Sequence, residues 1–321
     1  MMPWLLVGLG LAILLLAGDA LVKGAVNLSL RVGVPALIVS LTIVAFGTSA
    51  PELLISVNAV LADKPGLALG NVVGSNIANI LLVMGVPAVI SVIHTSGCRC
   101  SKSYLQMLGA TGLFIGLAFI GTFTAWSGLI LLAALGIILS AAFNDARRHR
   151  AEAALTLLSE ADSIEDVEGA DPDMPGWQIA MFLALGLIGL PLGSDIMVDN
   201  ASELAHRHGV SDSAIGLTLV ALGTSLPELA TTVMAAIRRQ ADVVVGNVIG
   251  SNMFNLLAII GIATLVGPIP VDPEFLRFDL WVMLAASLLL APIIAVRCDI
   301  GRLMGVASCG LYVIYVYAVL I

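Results

Sequence analysis

The chain has 321 residues, of which 59% are hydrophobic and only 11% are charged, and its mean hydropathy is +1.06. A soluble domain carries about 25% charged residues and roughly 45–50% apolar ones, so this composition excludes an ordinary soluble protein. The net charge of −8 and the lack of a basic stripe in the sequence exclude a nucleic-acid-binding protein.

Apolar runs long enough to cross a bilayer follow one another along the chain. A transmembrane helix needs about 20 mostly apolar residues, whereas a barrel would show short alternating segments. The first run has no basic segment ahead of it, so we expect a retained span rather than a cleaved signal. The sequence predicts an all-α integral membrane protein with about ten transmembrane helices, over residues 4–24, 35–61, 66–92, 104–123, 126–144, 177–205, 212–237, 242–266, 278–296 and 301–320.

One polar segment, residues 144–176, divides the chain. Nine of the 22 acidic residues lie between Asp145 and Asp173, without the ligand spacing of an EF-hand. We expect a flexible, solvated linker. The predicted units are residues 1–143, the acidic loop 144–176, and residues 177–321.

The two units repeat each other at a constant offset. AFGTSAPE at 45–52 matches ALGTSLPE at 221–228 at six of eight positions, and GNVVGSNIAN at 70–79 matches GNVIGSNMFN at 246–255 at seven of ten. The step from position 45 to 221 is the same as the step from 70 to 246. Five predicted spans separate equivalent positions, and because five is odd the second unit crosses the membrane in the opposite sense. The sequence thus predicts two inverted five-helix repeats, as in many secondary transporters.

The distribution of Lys and Arg predicts the orientation of the spans. Three basic residues fall on the face that holds the N-terminus, namely Lys64, Arg207 and Arg277, and the other eleven fall on or near the opposite face. Loops rich in Lys and Arg stay in the cytoplasm. We therefore expect both termini outside and the acidic loop in the cytoplasm.

Each repeat places one glutamate inside an apolar span. A charge at the bilayer centre costs at least ~2.5 kcal/mol, and such residues face a bundle interior or a hydrated cavity. Pro51 precedes Glu52 and Pro227 precedes Glu228, so the helix should break there and free the carbonyls of Gly47 and Gly223. We expect a broken helix whose free carbonyls and carboxylate face one ion.

The spacing of polar residues around the glutamates adds oxygen ligands. Pairs four residues apart share a helix face, and the sequence has four such pairs: Thr48 with Glu52, Ser75 with Asn79, Thr224 with Glu228, and Ser251 with Asn255. Carboxylate, amide and hydroxyl oxygens suit calcium and sodium rather than zinc or copper. Asn71, Asn76, Asn247 and Asn252 are expected to be hydrogen-bonding groups rather than ligands, and Asp19 and Asp195 are expected to be solvated near span ends.

Two carboxylates facing each other need counter-charge to stay ionised. One divalent ion, two monovalent ions or protons would neutralise them, so a protein that reorients only when loaded would exchange competing ions. The alternative for one copy of the motif is a structural kink with a protonated Glu. Cys98 and Cys100 form a lone C-x-C with no second pair or His cluster to complete a metal site.

The doubled motifs resemble the two alpha-repeats of the cation/calcium exchanger superfamily, most closely its prokaryotic sodium/calcium exchangers, over essentially the whole chain. The resemblance implies an antiporter, not an enzyme, that expels calcium against several sodium ions by alternating access, with the first and sixth spans sliding across the rest. It implies the cytoplasmic (inner) membrane of a prokaryote, lipid as the surroundings, no cofactor besides the transported ions, and no obligatory protein partner.

The resemblance also implies roles for residues of the motifs. Glu52 and Glu228 would bridge the calcium and sodium sites. The other implied ligands are the carbonyls of Ala45 and Ala221, the hydroxyls of Thr48, Ser49, Ser75, Thr224, Ser225 and Ser251, and the amides of Asn79 and Asn255.

Some relatives carry Asp where this chain has Asn79 or Asn255, and with two carboxylates potassium co-transport becomes less favoured. Protons are the alternative coupling ion, although calcium/proton exchangers usually carry a different second motif. A passive cation channel is the alternative of another class, but inverted copies in one chain favour alternating access. A hydrolase is disfavoured because Ser49 and Ser225 have no His in any motif.

Overall fold

The computed structural model describes residues 2–95, 98, 100–156, 171, 173–208, 221–296 and 298–320, and these residues are mainly helical. The helices are α1 Met2–Val32, α2 Ala36–Thr48, α3 Ala50–Leu61, α4 Pro65–Ile90, α5 Ser101–Ala118, α6 Ala125–Thr156, α7 Gly176–Arg207, α8 Ala221–Thr224, α9 Leu226–Ile237, α10 Ala241–Val266, α11 Phe275–Val296 and α12 Arg302–Leu320. Two short strands, β1 Thr122–Phe123 and β2 Ile269–Pro270, pair antiparallel.

Seven helices of the described part of the chain are long and apolar enough to cross a membrane, or eight if the bent pair of α2 and α3 is one span. The two other predicted spans, 104–123 and 212–237, correspond to α5 and to α8 with α9; residues 212–220 of the second lie outside the described residues. The all-α membrane fold is confirmed, while the count of ten stays a prediction.

One helix continues beyond its predicted membrane span, although its apolar part ends near the predicted residue, at Arg147. The fifth span was expected to end at residue 144, but α6 continues to Thr156. The added residues include several Ala, Arg, Glu and Leu, which are good helix formers. Their polarity marks where the apolar run ends and does not end the helix. Residues 157–170 and 172 of the predicted linker lie outside the described residues.

The backbone repeats with the sequence. Both ends of α3 and of α4 precede the corresponding ends of α9 and α10 by the same offset that separates the motifs. The turns after α3 and α9 each contain a left-handed residue that is not glycine, Asp63 and Arg239, both with φ 56°. The loops of the two repeats also pair in a similar way. Ile269 pairs with Phe123. Ile93, which is the equivalent of Ile269 in the first repeat, bridges to Ile300.

The centre of the molecule is formed by α4 and α10. Their most apolar stretches are 72% and 89% buried, whereas that of α12 is 6% buried. Apolar residues exposed on the outer helices fit contact with lipid rather than water. The predicted site residues of α4 and α10 are therefore held on the two innermost helices.

Helices α1 and α7 pack closely against each other through glycines. A Cβ on Gly10 would lie 2.8 Å from the carbonyl oxygen of Gly193, and one on Gly186 would lie 2.5 Å from the Leu21 Cβ. Small residues allow membrane helices to approach this closely. Several buried residues of this pair, among them Leu14, Leu21 and Leu190, belong to a cluster separate from the main core.

Helices α1 and α7 do not cover α9 and α3 to the same extent. On one side Gly18 of α1 lies against α9, where its Cβ would be 3.0 Å from the Ala230 backbone, and Ala230 is 6% exposed. Its equivalent on α3, Leu54, is 65% exposed. The guanidinium of Arg238 also forms two hydrogen bonds with the carboxylate of Asp19, the second at 2.8 Å. The position equivalent to Arg238 is Ala62.

Candidate functional site

Each motif glutamate stands just after a break in its helix. Ser49 separates α2 from α3, with φ −84° and ψ 4°. The span bends by 43° at this break. Ser225 separates α8 from α9 with almost the same angles, φ −88° and ψ 3°. Glu52 and Glu228 therefore lie in the first turn of the following helix. The N-terminal end of a helix dipole favours a negative side chain there.

Both motif glutamates are buried inside the protein. Both are 0% exposed, and they lie close enough for their charges to repel. Ser49 of the first repeat donates a hydrogen bond to Oε1 of Glu228 at 3.2 Å. The hydroxyls of Thr48 and Ser251 lie near the Glu228 carboxylate, so residues of both repeats surround it.

The amides of the second motif come from locally widened turns of the central helices. Asn79 begins a π-helical turn of α4, Asn79–Val83, and Asn255 lies in the corresponding turn of α10, Phe254–Ile259. Such turns are frequent at functional sites. Asn79 and Asn255 are each 0% exposed, and both are brought to the centre of the molecule.

Seven buried side-chain atoms of the described residues have no hydrogen-bond partner, and all belong to predicted site residues. They are Glu52 Oε1 and Oε2, Glu228 Oε2, Asn79 Oδ1, Asn255 Oδ1 and Nδ2, and Ser225 Oγ. Each unpaired buried polar group costs about 1–3 kcal/mol, and unpaired groups in native proteins require an explanation. Six of the seven atoms are oxygens, the donor type of sodium and calcium.

The other predicted residues surround these atoms or flank them. Thr48 Oγ1 lies 3.5 Å from Ser251 Oγ, across the two repeats. The carbonyl of Ala45 accepts hydrogen bonds from the Ser49 amide at 3.0 Å and the Thr48 hydroxyl at 3.3 Å. Thr224 is buried beside the break, Ser75 is buried one turn before Asn79, and Ala221 is the first described residue of α8.

The chain is similar to known proteins along most of its length. The family described as sodium/calcium exchanger protein matches residues 2–144 and 178–321. This chain belongs to the sodium/calcium exchanger family. It is 34% identical to the putative antiporter CaxA of Alkalimonas amylolytica over 88% of this chain and 86% of the relative, and 32% identical to the sodium/calcium exchanger MaX1 of Methanosarcina acetivorans over 97% of each.

A solved structure of the sodium-calcium exchanger NCX_Mj, soaked with 2.5 mM Na+ and 1 mM Sr2+, matches with a TM-score of 0.82 and 30% identity, over 99% of this chain and 98% of that one. The exchanger described here is therefore a cation/calcium antiporter and a multi-pass membrane protein. The predicted family, the helical membrane fold and the assignment as a transporter rather than an enzyme are confirmed.

One expectation about the breaks is wrong for the second repeat. The carbonyl of Gly223, freed by Pro227, accepts a hydrogen bond at 2.6 Å from the hydroxyl of Ser194 on α7. The freed carbonyl thus has a protein partner, because the close packing of α7 brings a hydroxyl to it. In this conformation of the exchanger, α7 therefore stabilises the break itself.

Asn71, Asn76, Asn247 and Asn252 form hydrogen bonds, as the sequence predicted, but the sequence did not indicate which groups they contact. Asn79 Nδ2 donates to Asn252 Oδ1 at 3.1 Å, and Asn252 Nδ2 donates in turn to the Asn76 carbonyl at 3.4 Å. Asn71 and Asn247 contact the glutamate backbones. The signal in the sequence was the repeated spacing of four, which continues from Asn71 through Ser75 to Asn79.

Other polar residues that the sequence singled out lie apart from the site. Asp195 is exposed on α7, and Asp19 pairs with Arg238. Cys98 and Cys100 are buried in the loop after α4. A hydrogen bond with Cys100, together with burial and nearby Asp242, raises the pKa of Cys98 far above its ordinary value, so this thiol stays protonated. No cluster of three or more His, Cys, Asp or Glu suited to a metal exists among the described residues.

Proposed function

We propose that this protein exchanges calcium for sodium across the membrane by alternating access, with Glu52 and Glu228 sharing one ion site. The observation that carries the proposal is the cluster of unpartnered buried oxygens, which involves both glutamates and Asn79, Asn255 and Ser225. Nothing in a stable core accounts for two adjacent buried carboxylates. A bound cation does, because it neutralises them and supplies the missing partner.

The oxygen donors favour sodium and calcium over softer metals. Two carboxylates match the charge of one calcium ion or of two sodium ions, so the two cargoes compete for the same groups. The relative NCX_Mj was soaked with Na+, Ca2+ and Sr2+. The proposed ligands are the twelve residues of the two motifs: Ala45, Thr48, Ser49, Glu52, Ser75, Asn79, Ala221, Thr224, Ser225, Glu228, Ser251 and Asn255.

The unequal packing of α1 and α7 supports alternating access. In an inverted repeat, exchanging the roles of the two repeats gives a second conformation of the same fold. Here α1 covers α9, whereas the equivalent face of α3 carries the exposed Leu54 and Ile55. In the second conformation α7 would cover α3 and α1 would leave α9. The site would then open to opposite sides in turn.

The proposed membrane is the cytoplasmic membrane of a prokaryote, with both termini outside and residues 144–176 in the cytoplasm. Lys and Arg support this orientation, with three on one face and eleven on or near the other. In this orientation α1 closes the cytoplasmic end of the site, because α9 ends on that side. The conformation described here would then be the one closer to opening outward.

The test is calcium-45 uptake into proteoliposomes loaded with sodium, repeated with choline in place of sodium. Uptake should require internal sodium. It should rise with an inside-positive potential, because more sodium charge leaves than calcium charge enters. Glu52→Gln, which keeps the shape of the side chain and removes its charge, should abolish uptake.

Two results would overturn the proposal. Uptake that ignores sodium and follows an imposed pH gradient would identify protons as the coupling ion. Uptake indifferent to both gradients would identify a channel-like leak and exclude alternating access.

A further inference from the structure

Asn71 and Asn247 occupy equivalent places in the two repeats, each one helix turn before a proposed ligand. On α4, Asn71, Ser75 and Asn79 are four residues apart and share a helix face. Asn247, Ser251 and Asn255 form the same row on α10. The second and third members of each row face the ion site, so the role of the first member needs an explanation.

In both repeats this first asparagine donates to the backbone of the repeat's own glutamate. Nδ2 of Asn71 lies 3.2 Å from the carbonyl oxygen of Glu52, and Nδ2 of Asn247 lies 3.5 Å from that of Glu228. The contact recurs although its surroundings differ: Asn71 also donates to Ser56 Oγ at 3.0 Å, where the second repeat has Thr232. The hydrogen bond to the glutamate carbonyl occurs in both repeats, whereas the other contacts of the two asparagines differ. We therefore relate this hydrogen bond to the glutamate, which both repeats have.

Asn247 also contacts the other repeat. Thr48 Oγ1 lies 3.3 Å from Asn247 Oδ1 and equally 3.3 Å from the Ala45 carbonyl oxygen, so its single proton has two acceptors. A hydroxyl oxygen that faces a cation must direct its proton elsewhere, and a carboxamide oxygen is an acceptor for it. Asn247 thus offers one of two acceptors for the Thr48 proton and contacts the backbone of Glu228 at the same time.

The two kinds of asparagine are distinguished by their partners. Asn79 and Asn255 keep carboxamide oxygens without a partner in the centre of the described structure, as ligands require. Asn71 and Asn247 direct their amides to protein carbonyls instead. Their place beside the glutamates is therefore that of groups that orient ligands, which commonly matter almost as much as the ligands.

We propose that Asn71 and Asn247 are positioning residues of the ion site. Each holds the first turn of the helix that carries Glu52 or Glu228, and with it the direction of the carboxylate, without contacting the ion. Asn247 in addition accepts the Thr48 proton when the Ala45 carbonyl does not, and so links the glutamate backbone to the other repeat. This inference rests on the exchange function proposed above, and it adds residues that act through the glutamates.

The test compares Asn71→Ala and Asn247→Ala with a matched control, Asn76→Ala. Asn76 is 1% exposed and lies on α4, and its side chain donates to Val72 of its own helix at 2.7 Å. Its contact with Asn252 is made by the backbone carbonyl, which alanine keeps. Three quantities are measured: the KM for calcium in sodium-dependent uptake, the maximal rate, and the rise in melting temperature that calcium causes in the purified protein.

For Asn71→Ala and Asn247→Ala we expect the KM for calcium to rise about tenfold, with a smaller change in maximal rate and a smaller calcium-induced rise in melting temperature. Asn76→Ala should keep the KM of the unmodified protein, even if its melting temperature without calcium falls. Asn71 is only partly buried, so its variant serves if Asn247→Ala does not fold.

An unchanged KM in both variants, with losses of stability like that of Asn76→Ala, would overturn the inference. Failure of the proposed function looks different, because the unmodified protein would then show no sodium-dependent uptake. The calcium-induced change in melting temperature would still test positioning in that case. Its absence in the unmodified protein would overturn both proposals.

Discussion

The two repeats share one backbone and differ in how their glutamate helices are covered. Helix α9, with Glu228, is covered by α1 through Gly18 and the ion pair of Asp19 with Arg238. Helix α3, with Glu52, exposes the equivalent face, where Leu54 is 65% and Ile55 40% exposed. Inverted repeats thus fix which residues meet at the centre and leave open which side is packed.

The two repeats also differ in the hydrogen bonds of their glutamate carboxylates. Ser49 donates to Glu228, while in the described structure its equivalent Ser225 and both oxygens of Glu52 lack a partner. The site is therefore symmetric in composition and asymmetric in hydrogen bonding. Substitutions at equivalent positions of the two repeats therefore distinguish residues that both conformations need from residues that only this conformation needs.

The largest expected effect concerns the two glutamates, which occupy equivalent positions in the repeats. Glu52→Gln and Glu228→Gln should each reduce sodium-dependent calcium uptake by about 100-fold or more, because calcium affinity depends on the charge of the ligand set. Both variants are compared in the same proteoliposome assay, with equal protein incorporation as the control. An active Glu228→Gln variant beside an inactive Glu52→Gln variant would show that the glutamates do not share a site.

The second effect concerns the covered side. Gly18→Leu should destabilise the purified protein by at least ~1–3 kcal/mol through overpacking, because the new side chain would meet the backbone at Ala230. Thermal unfolding in detergent measures this. Gly8→Leu is the control on the same helix, since a Cβ there meets nothing within 4 Å. Equal melting temperatures for the two variants would mean that α1 does not pack on α9 as described.

The third effect concerns the hydroxyls next to the breaks. Ser49→Ala should weaken calcium binding more than Ser225→Ala, because it also removes the hydrogen bond to Glu228. Hydrogen bonds to charged groups contribute about 1.5–3 kcal/mol, so the dissociation constants should differ by about 10- to 150-fold. Isothermal titration calorimetry measures both constants. Equal losses would show that the asymmetry of hydrogen bonding has no effect on affinity.

The smallest expected effect concerns the ion pair. Asp19 and Arg238 have side chains 30% and 22% exposed, and such pairs contribute up to ~1 kcal/mol. Arg238→Ala should therefore shift the balance of conformations up to about fivefold toward packing of α7 on α3. Spin labels on cysteines replacing Leu61 and His206 report this as a shorter distance in pulsed electron paramagnetic resonance.

A complementary substitution gives the first repeat the basic side chain that it lacks. Ala62→Arg would offer Asp195 the partner that Arg238 gives to Asp19, and it should shift the same distance in the same direction. Ala62→Gln is the uncharged control. An unchanged distance distribution in both Arg238→Ala and Ala62→Arg would show that these charges do not influence the conformation.

The repeated motifs predicted the fold and the composition of the site because both depend on features that appear twice. Pro51 and Pro227 each imply a broken helix, and the constant offset between the motifs places each glutamate opposite the other repeat. The buried positions of Glu52, Glu228, Asn79 and Asn255 follow from that arrangement. Their binding of ions stays a proposal.

Features present in only one repeat were beyond prediction from the sequence. Asp19 and Asp195 are equivalent, yet one has an arginine partner and the other is exposed. The hydrogen bond from Ser194 to Gly223 likewise depends on which side α7 approaches. A repeated sequence predicts both conformations equally, so it does not indicate which interface is formed. The extension of α6 was missed for a simpler reason, since hydropathy detects lipid contact rather than helix ends.

The loop pairings that join the repeats have a consequence for biosynthesis. Phe123 of the first repeat pairs with Ile269 of the second, and Ile93 pairs with Ile300. At about 5–20 residues per second, the first repeat waits in the membrane for roughly ten to thirty seconds before its partner segments emerge from the ribosome. During that interval Ser49 has no Glu228 and Asn79 has no Asn252 to form a hydrogen bond with. A truncated first repeat should therefore be a good substrate for membrane quality-control proteases.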